Sequence, residues 1–198
     1  KYLCSSINLE IAVEKIFIAG SISIKKLDES VTKRIDKMIS QGYEIILGDA
    51  DGIDKAVQNY LNIQGYNKVT IYHSGTIVRN NLGNWPTKSV ATKYRFGTRD
   101  FFTAKDLALA NDADIGVMLW DKKSTGTLKN IIELIKQHKK VTVFLQQEKK
   151  FQRVYNVDEF FLITQQMSEL SLKNADKKIN ISKSIESLKR VSIQPSFL

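Results

Sequence analysis
The sequence predicts an α/β fold: a Rossmann-like parallel sheet of about five strands with helices on both faces, followed by a short C-terminal extension. Two observations carry this expectation. Apolar runs such as Lys15–Gly20 (KIFIAG) and Asp114–Trp120 (DIGVMLW) alternate with segments whose apolar residues fall at helical spacing. That alternation builds a parallel sheet covered on both faces, with right-handed connections. The stretch Ile45–Ala56 (IILGDADGIDKA) shows the local unit in full: a buried strand, a glycine turn, and the first turn of a helix.

In chain order, residues 1–14 form an edge segment, strand or helix. Lys15–Gly20 is the first strand, and Leu27, Val31, Ile35, Met38 and Ile39 mark an amphipathic helix ended by Gly42. Ile45–Leu47 is the second strand. Ile53, Ala56, Val57, Tyr60 and Leu61 share a face of the second helix, which stops near Gly65, and Val69–Tyr72 is the third strand. His73–Thr98 is long and aperiodic. Its Trp85, Tyr94 and Phe96, with Arg79, Lys88, Lys93 and Arg95 and the adjoining Arg99, make it a candidate cover for a ligand, or else a variable insertion. Arg99–Asp112 is the third helix and Asp114–Trp120 the fourth strand. Leu128, Ile131, Ile132 and Ile135 mark the fourth helix, and Lys140–Leu145 is the fifth strand.

The predicted organisation is thus an edge segment (1–14), an α/β domain (15–145) and a C-terminal extension (146–198). In the extension, Phe151–Tyr155 reads as a short extra strand, and Asp158 as the cap of a helix carrying Phe160, Phe161 and Ile163. Leu172–Ser182 reads as a lysine-rich linker, and Ile185, Leu188 and Val191 as a last short helix. A tail of this kind packs on the sheet edge or contacts a partner protein.

Composition narrows the function classes. Hydrophobic residues make up 42% of 198, enough for a real core, and no apolar run approaches a membrane span. No secretory signal is visible, and the single Cys4 rules out an internal disulfide and fits a cytoplasmic setting. The net charge of +9 favours an anionic partner. The basic residues read as scattered, without a dense Lys/Arg block interleaved with aromatics, so nucleic acid is allowed rather than indicated. With His73, His138 and one cysteine, no Cys/His metal cluster is expected, and no nucleophile elbow marks a Ser–His–Asp hydrolase.

Ligands of open α/β sheets sit at the carboxyl ends of the strands, at the topological switch point. Three turns meet there: Gly20-Ser21, Gly48–Asp54 and Asp121–Thr127. Gly48 and Gly52 allow close backbone approach, and a helix N-terminus favours anions. Ser124 and Thr127 hydroxyls with Gly126 N–H suit a phosphate. The carboxylates Asp49, Asp51 and Asp54 face a ribose, a base or Mg²⁺ beside a phosphate. The plain alternative is an ordinary strand-to-helix turn with Asp51 as N-cap and Asp54 favouring the helix dipole.

Several of these pieces together resemble the SLOG superfamily of Rossmann-like domains. They are Ile18-Ala19-Gly20-Ser21, Gly48-Asp49-Ala50-Asp51-Gly52-Ile53-Asp54, Ala113-Asp114, and Trp120-Asp121-Lys122-Lys123-Ser124-Thr125-Gly126-Thr127. The superfamily includes the DprA/Smf DNA-processing proteins, the lonely-guy phosphoribohydrolases and the YspA/YpsA-like proteins, and nucleoside 2-deoxyribosyltransferases are related. The resemblance spans roughly Lys15–Leu145. It implies a nucleotide or nucleotide-derived (NAD- or ADP-ribose-like) ligand, with phosphate at Gly20, Ser21, Ser124, Gly126 and Thr127. It also implies an anion contact from the third helix, Arg99, with Lys105-Asp106 as the rival match. The family's glycosidic enzymes carry a glutamate shortly after the Gly-Thr turn. Here Leu128, Lys129 and Asn130 follow, and the first carboxylate is Glu133, one turn later. Asp51, Asp54 or Asp121 would have to take its place.

Three readings follow. The first is a sensor or regulatory module that binds a nucleotide-type small molecule, of the kind found in bacterial defence or stress systems. The second is an enzyme that hydrolyses N-glycosidic bonds of nucleotides. The third is a DprA-like DNA-associated module. Self-association as a homodimer is expected of such folds.

Overall fold
The computed structural model describes residues 13–193, so nearly all of the expected edge segment 1–14 lies outside the described residues. The fold is the expected α/β architecture. A seven-stranded sheet runs in the order β4-β3-β2-β1-β5-β6-β7. Its strands are β1 (Lys15–Gly20), β2 (Glu44–Gly48), β3 (Val69–Ser74), β4 (Thr87–Val90), β5 (Ile115–Trp120), β6 (Lys140–Leu145) and β7 (Lys150–Val154). Neighbours from β4 through to β6 pair in parallel, and β7 returns antiparallel to β6. The helices are α1 (Glu29–Ser40), α2 (Ile53–Ile63), α3 (Arg99–Asp112), α4 (Thr125–Lys136), α5 (Val157–Thr164), α6 (Glu169–Ile179) and α7 (Ile181–Ile193).

Alternation along each strand sends side chains to two separate cores. Ile16, Ile18, Ile45, Leu47, Ile71 and Val117 pack with Val31, Ile35, Val57 and Leu61 of α1 and α2. Phe17, Ala19, Ile46, Met118, Trp120, Val141 and Val143 face α3, α4 and α5. The helices begin where the chain supplies an acceptor for their free N–H groups. Asp28 takes the Ser30 amide at 3.0 Å, Thr98 the Phe101 amide at 3.3 Å, and Asn156 the Glu159 amide at 2.9 Å. The cap of α5 is therefore Asn156, and Asp158 sits inside its first turn.

Two expectations need correction. The 73–98 stretch is not wholly aperiodic: Thr87–Val90 pairs in parallel with β3 as an edge strand. It escapes sequence periodicity because an edge strand with mostly exposed side chains needs no apolar alternation. Leu172–Ser182 is not a linker. It lies in α6 and the start of α7, which share a single left-handed residue, Asn180, at φ 49°. Buried Ala175, Ile181 and Leu188 attach this pair to the α4/α5 face.

The chain steps outward from β1 to β4, then returns to the other side of β1 to start β5. The switch point thus falls between the carboxyl ends of β1 and β5. The loops after β1, β2, β3, β4, β5 and β6 all open on that one edge.

Candidate functional site
At the switch point, Gly20 and Ser21 meet the start of α4. A Cβ on Gly20 would lie 2.8 Å from Ile53 Cγ1 and closer still to the Leu119 carbonyl oxygen, so β1 and β5 demand glycine there. Ser21 donates its amide to Leu119 O at 2.9 Å, and its Oγ accepts the Asp121 amide at 3.1 Å. Ser21 and Thr127 are buried, with their hydroxyls 3.5 Å apart, and Thr127 Oγ1 donates to Ser124 Oγ at 3.1 Å. Their hydroxyls are engaged with one another and brace the turn. Gly126, in contrast, is exposed, and a Cβ there would find nothing nearer than Ser124 Oγ at 3.9 Å. Arg99 reaches this helix start, donating to Thr125 Oγ1 at 3.1 Å and to Lys178 O at 3.3 Å.

Asp121 closes the loop after β5. It accepts from the amides of Lys123 (2.9 Å) and Ser124 (2.7 Å) and from Ser23 Oγ (2.6 Å). Burial raises its pKa, but these donors more than offset that, and its carboxyl stays below the usual range. Its oxygens organise the loop.

The Gly48 turn is built on buried charge. Asp49 is gripped by Arg79, whose Nε lies 3.1 Å from Oδ2 and whose Nη2 lies 2.5 Å from Oδ1. The Arg79 amide adds a third bond at 3.1 Å. Burial pushes Asp49 up, and Arg79 more than reverses it, so the carboxyl titrates low. Asp54 is buried beside Lys105, Oδ2 to Nζ 3.9 Å, and accepts the Ala50 amide at 3.2 Å. Lys105 Nζ also donates to Asp106 Oδ1 at 2.9 Å. Burial raises the Asp54 carboxyl to about 6, helped by Asp106 and Asp49 and opposed by Lys105. Lys105 itself is pushed down by burial and more strongly up by Asp106, Asp54 and Asp49. Three carboxylates face two cations here, so one carboxyl, Asp54, holds its proton unusually late.

Asp51 is not the N-cap of α2. The cap position is Gly52 at φ 81°, with no side-chain cap bond, and a Cβ there would lie 2.5 Å from Ile22 Cα. Asp51 is exposed, 3.4 Å from Asn80 Nδ2 and 3.9 Å from Lys55 Nζ. The structure therefore gathers Gly20, Ser21, Asp121, Ser124, Gly126, Thr127 and Arg99 around the β1/β5 switch. Gly48, Asp49, Gly52 and Asp54 form the salt-bridged turn after β2, which abuts the β1 loop through Gly52 against Ile22 and Ile53 against Gly20. Asp49 and Asp54 already hold cations, and no group of three or more His, Cys, Asp or Glu side chains among the described residues is arranged to hold a metal ion.

The stretch after β3 divides in two. Its first half is pinned: Gln58 donates to Gly48 O (3.0 Å) and Asn80 O (3.2 Å) and accepts the Leu82 amide. Trp85 is buried, its Nε1 2.8 Å from Tyr66 O. His73, at the end of β3, is buried, and its Nδ1 has no hydrogen-bond partner among the described residues. The second half, after β4, is open. Lys93, Tyr94, Arg95, Phe96 and Arg99 are all exposed, Phe96 at 72%. Phe96 meets Phe101 edge-to-face at 5.3 Å and Phe102 at 6.4 Å, and the Arg79 guanidinium lies 4.5 Å over the Phe102 ring.

Lys93-Tyr94-Arg95-Phe96-Gly97-Thr98-Arg99 is a basic run interleaved with aromatics, contrary to the scattered distribution expected. Its signal was visible in the residue order but was absorbed into a long stretch read as a cover. Beyond it, two shallow grooves flank the loop after β1. One, of about 510 Å³, includes Lys25, Lys26, Lys123 and Asp121, and one of about 380 Å³ includes Lys25, Lys55 and Asp51.

No family model matches this chain. A search of curated proteins likewise finds no match. Among solved structures, the chain is similar to DNA processing protein A from Helicobacter pylori, described for its unique single-stranded DNA binding mode. The two share 17% identity with a TM-score of 0.52, over 90% of this chain and 81% of that one. This likeness is one of fold: both chains carry the Rossmann-like sheet.

Proposed function
We propose that the chain binds single-stranded DNA along the carboxyl edge of its sheet. The observation that carries this reading is the exposed Lys93–Arg99 run, with Phe96 anchored on Phe101 and Phe102 as a stacking platform. Bases of any identity stack on such rings while neighbouring cations follow the phosphates. Lys25, Lys26, Lys55 and Lys123 around the β1 loop, beside Asp51 and Asp121, add further cations at the same edge of the sheet. The single-stranded DNA binding of the similar Helicobacter pylori protein points the same way. Of the carboxylates proposed for turnover, Asp54 and Asp121 are engaged by Lys105 and by loop amides, and Asp51 alone is exposed.

A nucleotide-sized ligand is the second reading. It is favoured by the exposed Gly126 at the start of α4, 3.9 Å from the nearest obstruction to a Cβ, with Arg99 beside Thr125. One titration separates the two. Fluorescence anisotropy of labelled oligo-dT is followed with increasing protein, then with unlabelled oligo-dT, unlabelled duplex, dTMP or ADP-ribose as competitor. Single-stranded binding displaced only by single-stranded competitor supports the main reading. Displacement by stoichiometric mononucleotide supports the second. Absence of oligo-dT binding at low salt overturns the first.

A further inference from the structure
The opposite end of the sheet carries a second surface. Helices α1 and α2 cover one face of the sheet over β1, β2 and β3, whereas α3, α4 and α5 all lie on the other face. α1 reaches Val117 of β5, but over β6 and β7 the same face is left without a helix among the described residues. A groove of about 480 Å³ runs there between α1 and the sheet, floored by Ile16, Ile115, Val117 and Phe151. A smaller one of about 230 Å³ continues it, sharing Arg34, Thr142 and Phe151 and adding Arg153.

The rim is cationic throughout. Lys33, Arg34 and Lys37 line the α1 wall and Arg153 the β7 side, and no carboxylate lines either groove. Lys33 has a local partner in Glu29 at 2.6 Å. Arg34, Lys37 and Arg153 have no carboxylate partner among the described residues. Arg34 is half-buried with its guanidinium 4.2 Å over the Phe151 ring. Burial, together with the nearby Arg153, lowers its pKa, a charge that an incoming carboxylate would relieve. Lys33 and Lys37 stand one helical turn apart, so the α1 wall presents cations at the spacing of i, i+4 acidic residues on a facing helix.

We infer that this groove docks an amphipathic, acidic helical segment of a partner protein, apolar face on the half-buried Ile115 and Phe151 and carboxylates against Lys33, Arg34 and Lys37. The occupant follows from the two features together. A groove with Ile115 and Phe151 half-buried on its floor takes an apolar helix stripe, and an all-cationic rim selects acidic flanks. The surface lies toward the amino ends of the parallel strands, away from the Lys93–Arg99 run, and does not depend on the DNA reading.

The test uses the full chain and a synthetic probe: a labelled helical peptide with Leu at i, i+3, i+4 and i+7 and Glu on the flanking positions. Its controls are a scrambled sequence of the same composition and a version with Gln for Glu. The expected result is binding of the probe alone, with backbone-amide NMR shifts at α1, β5 and β7. Charge reversal in Lys33→Glu/Lys37→Glu, at two exposed positions, should weaken it by about tenfold or more, as like-charge juxtaposition does. A second variant, Phe151→Ala, should weaken binding of the Glu probe with the charges of the rim intact. Equal binding of the scrambled peptide, shifts confined to other surfaces, or unchanged affinity in the charge-reversed variant overturns the inference. So does decanoate displacing the probe with the affinity of a site of its own. Oligo-dT binding by Lys33→Glu/Lys37→Glu stays at the wild-type level, which separates a failure here from a failure of the DNA reading.

Discussion

Lys105 Nζ lies 3.9 Å from Asp54 Oδ2 in the interior of the sheet's carboxyl edge, directly against Gly48. This pair explains the glycine: a Cβ at residue 48 would stand 2.5 Å from Nζ and nearer still to Oδ2. The turn that follows β2 is therefore shaped around a buried ion pair. A buried pair of this kind is costly to break, because the partner left behind is an uncompensated charge. The Lys105→Met variant is expected to lose about 3–5 kcal/mol of unfolding free energy in urea at neutral pH. A loss below about 1 kcal/mol would show that the carboxylates find solvent without Lys105.

The same cluster sets a pH dependence. Asp54 titrates at about 6 in the fold against 3.8 in the unfolded chain. Between those values the folded state holds the extra proton, so this group stabilises the fold as pH falls and that contribution is lost as pH rises through about 6. The Asp54→Asn variant removes the titration. Wild-type stability is expected to rise relative to Asp54→Asn as pH falls from neutral to the unfolded carboxyl range, measured by urea midpoints across that span. A relative fall would mean that Lys105 holds Asp54 ionised.

Gly48→Ala and Gly52→Ala should both destabilise, for different reasons. The first crowds the Asp54–Lys105 pair and costs about 1–3 kcal/mol, as overpacking does. The second adds a left-handed φ of 81° to a 2.5 Å clash with the Ile22 backbone, which cannot move as a side-chain end can. Thermal unfolding should therefore rank Gly52→Ala below Gly48→Ala. Gly126→Ala, with open space around it, should unfold like the wild type.

Asp121 offers a separate check on the β5 loop. Asp121→Ala removes the acceptor of two backbone amides and of Ser23 Oγ. The expected cost is about 1–2 kcal/mol, with faster amide exchange at Lys123 and Ser124. Unchanged exchange there would show that the loop is held by Ser21 alone.

Much of this architecture was legible in the residue order. The parallel core from β1 to β6 announces itself through KIFIAG, EIILG, VTIYHS and IGVMLW, because buried strands leave continuous apolar runs. The edge elements did not: Thr87–Val90 has no apolar face to repeat, and α6 buries little beyond Ala175 in a lysine-rich stretch. The carboxyl-edge turns were legible as places but not as chemistry. Asp49 and Asp54 look free in sequence, and only the fold brings Arg79 and Lys105, distant in the chain, onto them. The residues of the Lys93–Arg99 run stand in the residue order as part of a candidate cover, and only the fold shows Phe96 exposed and set against Phe101 and Phe102.

Salt dependence gives the DNA reading a quantitative form. Each phosphate of single-stranded DNA that a cation no longer neutralises lowers the slope of log K against log salt by about 0.7. The Lys93→Ala/Arg95→Ala variant should thus flatten the slope by about 1.4. Phe96→Ala should leave the slope unchanged and weaken binding by about 1–3 kcal/mol, the value of one stacked base. Identical losses in slope for both variants would assign Phe96 no stacking role.

The most direct measurement is ultraviolet crosslinking of the full chain to photoreactive oligo-dT, with the attached peptide identified by mass spectrometry. The account predicts crosslinks on the peptide carrying Tyr94 and Phe96, abolished by unlabelled single-stranded competitor and absent from duplex. Crosslinks confined to Phe151 and Tyr155, at the other end of the sheet, or none above background, would contradict it.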